Sequence, residues 1–412
     1  YTYSSANALN VLATGDITFL RGLQNSGTGA VNIAAGWDGK TGGLGVDPTL
    51  CTPVAAPNFD FAAVIAACAT ATGVGNQGTV FIGTGTQAFA VAVGSLGGAT
   101  TAMGHRVEIN GSDSTANAYG QLGFHQTAAS QTGAGAVNLH VHEGGLALNA
   151  GDSVGSYAQA GHGGLGSTAN TQSGAITVEF CEAGSATFNG GAGLNAYALL
   201  GHGGNVGSNT KSGDITFSGS LVNVDLNGGS TTGTYAQIGH GGDNSDGAIT
   251  SNILLSASGA VTLDGGAGQD STARIGSGGR DSDGAKNGTT TVSGASVTLT
   301  GGGGSNAGTQ IGAGGSLADG NLTGTTTVTT TTGDLRILAG TGTDSASQVG
   351  AGGIQASGTH NSATTVTAAG NVVLDATNGG ASASARIGLG GTAADGAFTG
   401  LVGVTAGGDL TL

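Results

Sequence analysis

Apolar and polar residues alternate along this chain in short runs that recur with a long, regular spacing. An aliphatic residue followed by Gly-x-Gly-Gly returns every 36 to 40 residues. The copies begin at Gly161, Gly201, Gly239, Gly276, Gly312, Gly350 and Gly388, and a degenerate copy begins at Gly123. A period of this length is typical of a solenoid, in which each repeat packs only against its neighbours. The pattern therefore predicts a rod rather than a closed globule.

Alignment on the first glycine of each copy shows which strand positions face the interior. The residue just before it is always apolar, and the third residue before it is nearly always small. The second residue before it is usually Gln or Arg, and the fourth is a tyrosine in four copies, at Tyr119, Tyr157, Tyr197 and Tyr235. Because side chains alternate between the two faces of a strand, the apolar and small columns should point inward. The Gln/Arg and tyrosine columns should point outward, as an exposed aromatic stripe suited to binding.

Each repeat contains two further strand-like runs, such as Ile215–Phe217 and Val222–Leu226. Three strands in about 38 residues, joined by Gly, Asn, Asp and Ser, predict two coils of roughly 19 residues each. The predicted fold is thus all-β, a right-handed parallel β-helix. Some twenty coils spaced about 4.8 Å apart would make a rod of about 95 Å.

One stretch interrupts the repeats. Its features are the prolines Pro48, Pro53 and Pro57, the cysteines Cys51 and Cys68, and the helix-like run Phe59–Ala67. We expect N-terminal β-helix coils over 1–46, a loop and short helix looped out over 47–77, and the repetitive β-helix over 78–412. Cys51 and Cys68 are the candidate disulfide, which leaves Cys181 unpaired and suits an oxidising compartment. The insertion serves either for binding or to cover apolar surface.

Composition and charge narrow the functional classes. The chain has 87 glycines, yet 38% of its residues are hydrophobic, which favours folded strands over disorder. Its net charge of −15, with nine Lys and Arg in all, disfavours nucleic acid and anionic membranes as partners. No segment approaches the roughly 20 apolar residues of a membrane span, so no membrane insertion is expected.

Several segments resemble the internal rungs of filamentous-haemagglutinin-like exoproteins. They are Asp16–Leu20, Gln24–Ile33, Ala35–Gly39, Val91–Ser95, Gly98–Thr101 and Tyr119–Phe124. The resemblance implies a large secreted protein, exported through a partner outer-membrane barrel, that acts at the bacterial cell surface as an adhesin, biofilm component or contact-dependent toxin. For this chain it implies the stalk. The family's secretion module should precede this segment, and an opening on Tyr1 suits a processed product or a piece of a longer polypeptide.

Histidines raise the question of a metal site. His162, His202 and His240 share one position of the repeat. At two coils per repeat they would lie about 9.6 Å apart, whereas zinc–nitrogen bonds measure about 2.0–2.1 Å. We therefore expect them to pack in turns. His140 and His142, two apart on one strand, form a better pair, but the sequence shows no third ligand.

Calcium and catalysis find little support. The run Gly265–Asp270 begins like a calcium-binding nonapeptide but does not repeat, and Asp281 and Asp283 beside it could hold an adventitious cation. The glutamates are Glu108, Glu143, Glu179 and Glu182, and the mixed cluster of Arg274, Arg280, Asp281 and Asp283 is typical of a solvated loop. We therefore expect no enzymatic activity, no catalytic or metal residues and no cofactor.

The functional hypothesis is a secreted, non-enzymatic stalk of an adhesive surface fibre. The tyrosine stripe could stack on sugars or a neighbouring rod, or pack laterally between coils. An alternative is a self-assembling matrix or sheath filament, because the final strand Gly408–Leu412 carries no polar cap and could pair with another subunit. A polysaccharide-binding or polysaccharide-degrading β-helix is the third possibility. The expected partners are the protein itself, end to end or laterally, and cell-surface or glycan ligands.

Overall fold

The computed structural model describes residues 1–36, 78–168, 170–219 and 222–412, which form short parallel strands joined by turns. Nowhere in these ranges is there a helix with the length and hydropathy needed to cross a membrane. The predicted helix Phe59–Ala67, the predicted insertion 47–77 and the boundary at 46 lie outside the described residues.

The strands of the first half, in chain order, are β1 (Thr2–Tyr3), β2 (Leu9–Ala13), β3 (Ile17–Phe19), β4 (Leu23–Asn25), β5 (Val31–Ala35), β6 (Thr79–Ile82), β7 (Val91–Ser95), β8 (Thr100–Asn110), β9 (Gly120–Leu122), β10 (Thr132–Gly133), β11 (Val137–Asn149), β12 (Ala158–Ala160), β13 (Thr171–Gln172), β14 (Ile176–Phe180), β15 (Gly184–Asn189), β16 (Tyr197–Leu200), β17 (Gly207–Ser208), β18 (Thr210–Ser212), β19 (Ile215–Gly219) and β20 (Val222–Asn227). Those of the second half are β21 (Tyr235–Ile238), β22 (Ser245–Asp246), β23 (Ile249–Thr250), β24 (Ile253–Ala257), β25 (Val261–Asp264), β26 (Thr272–Ile275), β27 (Lys286–Gly294), β28 (Val297–Thr300), β29 (Thr309–Ile311), β30 (Leu322–Thr330), β31 (Leu335–Leu338), β32 (Ser347–Val349), β33 (His360–Ala368), β34 (Val372–Asp375), β35 (Ala385–Ile387), β36 (Phe398–Thr399), β37 (Val402–Ala406) and β38 (Leu410–Thr411).

Three parallel ladders surround the core of this solenoid. The first ladder is β1-β4-β7-β9-β12-β16-β21-β26-β29-β32-β35. The second runs through β2, β5, β8, β11, β14, β19, β24, β27, β30, β33 and β37. The third runs through β3, β6, β8, β11, β15, β20, β25, β28, β31, β34 and β38. The strands β8 and β11 are long enough to belong to both of the last two ladders.

One coil contains a whole repeat. The register pairs Tyr197 with Tyr235, and Ile215 with Ile253, 38 positions apart in each case. The prediction of a parallel β-helix is confirmed, and the prediction of roughly 19 residues per coil is wrong. The extra residues lie in the Gly-x-Gly-Gly loop, which folds over the first ladder instead of completing a coil of its own. Eleven strands per ladder make the described rod about 48 Å long, half the predicted length.

The main core is aliphatic and continuous from coil to coil. The predicted inward column is confirmed, because Leu122, Ala160, Leu200 and Ile238 are all fully buried. They meet the alternate residues of the other two ladders in one cluster. A slim interior of this kind gains its stability from many small contacts repeated along the rod.

The turn before the first ladder has the same backbone conformation in most coils. One residue in each such turn has a positive φ, at Asn117, Gly155, Asn195, Gly233, Asp270, Asn306, Asp344 and Ser382. Gly, Asn and Asp tolerate this left-handed conformation better than other residues. The repeat of turn chemistry thus keeps successive coils in register.

Candidate functional site

The tyrosine column lies inside the molecule. Tyr157, Tyr197 and Tyr235 are fully buried and Tyr119 is half-buried, so the prediction of an exposed binding stripe is wrong. Their rings stack almost parallel, with successive centroids 4.4, 4.8 and 4.9 Å apart. The tyrosines do point away from the main core, but a second buried layer covers them.

The cover is the Gly-x-Gly-Gly loop itself. A Cβ on Gly204 would lie 2.5 Å from the hydroxyl oxygen of Tyr197, so a larger residue there would collide with the ring. Gly204 also has a φ of +133°, which residues with side chains rarely adopt. The glycines that predict turns therefore have a second role, which is to let the loop close over the tyrosines.

Burial keeps the tyrosine hydroxyls neutral. Desolvation raises the pKa of Tyr119 to about 12 and the pKa values of Tyr157, Tyr197 and Tyr235 well above their usual range. The Tyr157 hydroxyl donates to Oε1 of Gln121 at 3.0 Å. These phenols are packing groups of the interior, and those of Tyr157 and Tyr197 also donate to glutamine side chains.

The glutamine column beside the tyrosines is buried as well, so the prediction that it faces solvent is wrong. Nε2 of Gln237 donates to the carbonyl oxygens of Gly276 and Gly278 on the next coil, at 3.0 and 2.8 Å. The same pair of bonds is made by Gln159, Gln310 and Gln348. Each amide thus satisfies loop carbonyls that are turned away from water.

The tyrosine column ends after Tyr235, and a small cavity takes its place. Thr272, Gly308 and Ala346 occupy the next positions and help to line a cavity of about 40 Å³. Their small side chains leave room that a ring fills in the earlier coils. Arg274 reaches along this cavity and donates to the Thr272 hydroxyl at 3.1 Å.

The three repeated histidines form a stacked ladder. The ring centroids of His162, His202 and His240 are 5.1 and 4.7 Å apart, so the predicted separation of about 9.6 Å is wrong. Nδ1 of His202 accepts the backbone N–H of His162 at 3.0 Å, and its Nε2 faces the carbonyl oxygen of Gly174 at 2.8 Å. These two partners assign the proton to Nε2. The packing role predicted for these histidines is confirmed.

Desolvation keeps the histidine ladder uncharged. It lowers the pKa of His162 and His240 to about 4 and that of His202 well below its usual value. Because both ring nitrogens of each residue are engaged, the ladder has no lone pair to offer a metal ion.

Two buried lysines carry no signal in the sequence. Lys211 and Lys286 lie in one interior column, separated by Ile249. Nζ of Lys211 donates to the carbonyl oxygens of Asn209 and Asp246 at 3.0 and 2.7 Å. Desolvation lowers the pKa of Lys211 to about 7 and that of Lys286 to about 8. The column mixes aliphatic and basic residues, so its pattern does not mark the lysines as buried.

The mixed cluster predicted to be a solvated loop is partly interior, so that prediction is wrong for Arg274, which is buried. Asp243 is buried nearby, and desolvation raises its pKa to about 6, an effect that Arg274 partly offsets. Asp270, from the calcium-like run, lies 3.5 Å from Nε of Arg280 and accepts a bond from Nδ2 of Asn306. Its carboxylate serves an ion pair between coils.

One corner of the rod gathers the glutamates. Glu108, Glu143, Glu179 and Glu182 are the only glutamates of the chain, and they fall in three successive coils where the second ladder passes into the third. We call these four residues the glutamate corner. Arg106 Nε lies 2.6 Å from Glu108 Oε1, and His140 Nδ1 lies 3.2 Å from Glu179 Oε2.

Within the described ranges, one group of three His, Cys, Asp or Glu residues has ligand atoms close enough to share a metal ion. His105, His142 and Glu143 each offer one ligand atom, and the three atoms lie within 4.8 Å of one another. Glu182 lies on the coil after His142, and its Oε1 is 3.9 Å from Nε2 of His142. The structure thus groups His142 with His105 and Glu143, which the sequence did not show. His140, the predicted partner, is buried and faces Glu179 instead.

The same corner carries a crosslink. Cys181 is disulfide-bonded, so the prediction that it is the unpaired cysteine is wrong. Its backbone N–H donates to the carbonyl oxygen of Val141 at 2.9 Å, which places it on the coil after His142. Cys51 and Cys68, predicted to pair with each other, lie outside the described residues.

Neither a protein-family model, a curated protein nor a solved structure matches this chain. The resemblance to filamentous-haemagglutinin-like exoproteins therefore stays a prediction.

Proposed function

We propose that this protein is a non-enzymatic structural rod that forms the stalk of an extracellular adhesive fibre. The observation that carries the proposal is the continuity of the three parallel ladders, each eleven strands deep in the described ranges. A solenoid of constant cross-section spans distance, because each coil adds a fixed rise and contacts only its neighbours.

The use of polar side chains inside the rod supports a structural role. The tyrosine, glutamine and histidine columns all bond between coils, as in Tyr157 to Gln121, Gln237 to Gly276 and the His162 backbone to His202. These residue types often do chemistry elsewhere, and here they fasten one coil to the next.

The chemistry of the outer surface supports the proposal that the rod is secreted and soluble. Thr291, Thr327 and Thr365 stack in register on the outer face of the second ladder. Together with a net charge of −15, this hydroxyl-bearing face keeps neighbouring rods hydrated and apart. The disulfide at Cys181 suits an oxidising compartment. The proposed location is the bacterial cell surface, with export through the partner outer-membrane barrel that the resemblance implies.

Immunogold labelling of sectioned producing cells, with an antibody against the folded rod, tests the proposal. We expect gold particles along fibres outside the cell envelope. Label confined to the cytoplasm would rule out a surface stalk. In a second test, purified protein is incubated with bacterial and plant polysaccharides. Release of reducing ends would show that the protein is an enzyme instead.

A self-assembling filament is the second candidate. On the last coil Val402, Val404 and Leu410 are exposed, whereas the equivalent positions of earlier coils are buried. Further chain or another copy of the rod can cover them equally well. Electron microscopy of the purified 412-residue chain separates the two, because single rods about 48 Å long favour the stalk and open-ended polymers favour the filament. The burial of the tyrosine column removes the main support for the polysaccharide-binding alternative.

A further inference from the structure

We propose that His105, His142 and Glu143 form a binding site for one divalent transition-metal ion of the zinc class. The inference is independent of the proposed function, because it rests only on residues in and directly beside the glutamate corner. It places the ion between two coils of the rod, on the surface and within reach of solvent.

A bulge between strands creates the site. The register of β8 against β11 shifts between Val141 and Gly145, so that several residues of β11 stand opposite His105 alone. The extra residues include His142 and Glu143, which therefore turn toward His105 instead of continuing the ladder. The shape of the backbone, and not only the sequence spacing, brings the three side chains together.

Gly144 completes the fit. A Cβ at Gly144 would lie 2.5 Å from Nε2 of His105, so any larger residue would displace the imidazole from the bulge. The His105 backbone N–H also donates to the carbonyl oxygen of Gly78 at 2.9 Å, which holds this residue to the coil before it. His105 is thus positioned by contacts on both sides.

The donor set matches zinc better than the hard cations. Calcium and magnesium prefer oxygen ligands, whereas imidazole nitrogen suits zinc, cobalt, nickel and copper. Tetrahedral ligands about 2.0–2.2 Å from zinc lie about 3.4 Å apart. The three atoms are within 4.8 Å of one another, and Glu143 is exposed, so its side chain is free to close the remaining gap. Oε1 of Glu182 lies 3.9 Å from Nε2 of His142, so a small shift of this carboxylate would let it hold the ring or add an oxygen ligand.

No other group of three His, Cys, Asp or Glu residues in the part of the chain that the structure describes brings its ligand atoms this close together. His162, His202 and His240 use both ring nitrogens inside the ladder. His140 is buried against Glu179. The expected stoichiometry is therefore one ion per chain.

Titration of tag-free protein with Co²⁺ and with Zn²⁺ tests the site. We expect a visible absorption band from tetrahedral Co²⁺ that saturates at one equivalent and is displaced by Zn²⁺. Isothermal titration calorimetry with Zn²⁺ then gives the affinity. Glu143→Gln and His142→Gln should each weaken Zn²⁺ binding at least 10-fold, and Glu182→Gln should weaken it by about 10-fold.

Glu179→Gln is the matched control, because it removes a carboxylate of the same corner that faces His140 instead of the site. It should leave Zn²⁺ affinity and the Co²⁺ band within about 2-fold of the unaltered protein. Equal loss in Glu179→Gln and Glu143→Gln would show diffuse attraction by an acidic corner and overturn the proposal. So would the absence of any Co²⁺ band in folded protein, or a band that survives in Glu143→Gln and His142→Gln. Circular dichroism confirms that each variant folds, and the exposed, isosteric Glu143→Gln keeps the test valid if a histidine variant does not.

Discussion

The backbone N–H of His162 donates to Nδ1 of His202 on the next coil at 3.0 Å, and their rings stack with centroids 5.1 Å apart. The bond requires Nδ1 of His202 to accept with its lone pair. In a protonated ring Nδ1 would carry a hydrogen that points at the backbone N–H of His162. Each histidine of the ladder therefore joins two coils only while it is neutral. The ladder couples the protonation of these rings to the integrity of the stack.

Acidification should weaken the rod through this ladder. Folded-state pKa values near 4 for His162 and His240 lie below the usual value of 6.5. Their contribution is complete above pH 6.5 and is lost as the pH falls to about 4, because the unfolded chain binds protons first. The free energy of unfolding should fall by at most about 3 kcal/mol for each of these histidines. Denaturant unfolding at several pH values between 7 and 4 measures the loss.

His240→Gln is the control for this effect, because its side chain does not titrate. The variant should be less stable at pH 7 and should lose less stability than the unaltered protein between pH 6.5 and 4. Asp243 acts in the opposite direction over part of this range, since its pKa is raised to about 6. It is present in both proteins and cancels in the comparison. Parallel pH profiles would contradict the ladder as the acid-sensitive element.

Removal of one buried tyrosine should cost much more than removal of the tyrosine at the end of the ladder. Tyr197 is stacked on both sides, 4.8 Å from Tyr157 and 4.9 Å from Tyr235, and is fully buried. Tyr197→Ala should lower the free energy of unfolding by about 3–5 kcal/mol, because it leaves a ring-sized cavity. Tyr119→Ala, at the half-buried end, should cost less than half as much. Equal costs in urea unfolding would mean that the second layer does not contribute to stability as a packed core.

The tyrosine and glutamine columns show where reasoning from the sequence succeeds and where it stops. The alternation correctly placed Tyr197 and Leu200 on opposite faces of the same strand. It could not show that the loop after Leu200 folds back over the tyrosine face, because periodicity reports which side a residue takes and not what covers that side. The same loop explains why one coil uses a whole repeat. The site at His105 and His142 was missed for a related reason, since a bulge that breaks the register has no periodic signature.

Buried lysine should make the rod more stable as the pH rises above neutrality. The folded-state pKa of Lys211 is lowered to about 7 from 10.5, so the unfolded chain holds its proton more tightly over this range. Stability should therefore increase between pH 7 and about 10. Lys211→Met removes the titrating group from a column that already accepts Ile249. Between pH 7 and 9 the free energy of unfolding should rise by about 2 kcal/mol less in the variant than in the unaltered protein. An unchanged gain in thermal or urea unfolding would show that Lys211 stays protonated when buried.

A strained turn offers a site for stabilisation. Val206 has a φ of +62°, which is unfavourable for a β-branched residue, and the residue is 53% exposed. Val206→Asn should raise the free energy of unfolding by about 1 kcal/mol, because asparagine tolerates this conformation and little apolar burial is lost. Val154 is the matched control. It is 50% exposed and lies in another turn, but its φ is not positive. Val154→Asn should change stability by less than about 0.5 kcal/mol. Equal effects of the two substitutions would mean that backbone strain at Val206 is not released.

The glutamine column predicts opposite outcomes for two exchanges at equivalent positions. Gln237 donates to Gly276 and Gly278, whereas the preceding coil has Leu199 in the same column. Gln237→Leu should cost about 2 kcal/mol, because it leaves buried carbonyl oxygens without a donor. Leu199→Gln should cost less than about 0.5 kcal/mol or stabilise the rod, although it puts a polar group into a fully buried position. The reason is that its amide can reach the carbonyls of the next coil, as Gln159 and Gln237 do from either side. Urea unfolding of the two variants measures both effects. If Leu199→Gln is as damaging as Gln237→Leu, the bonds of the glutamine column do not explain why this interior accepts amides.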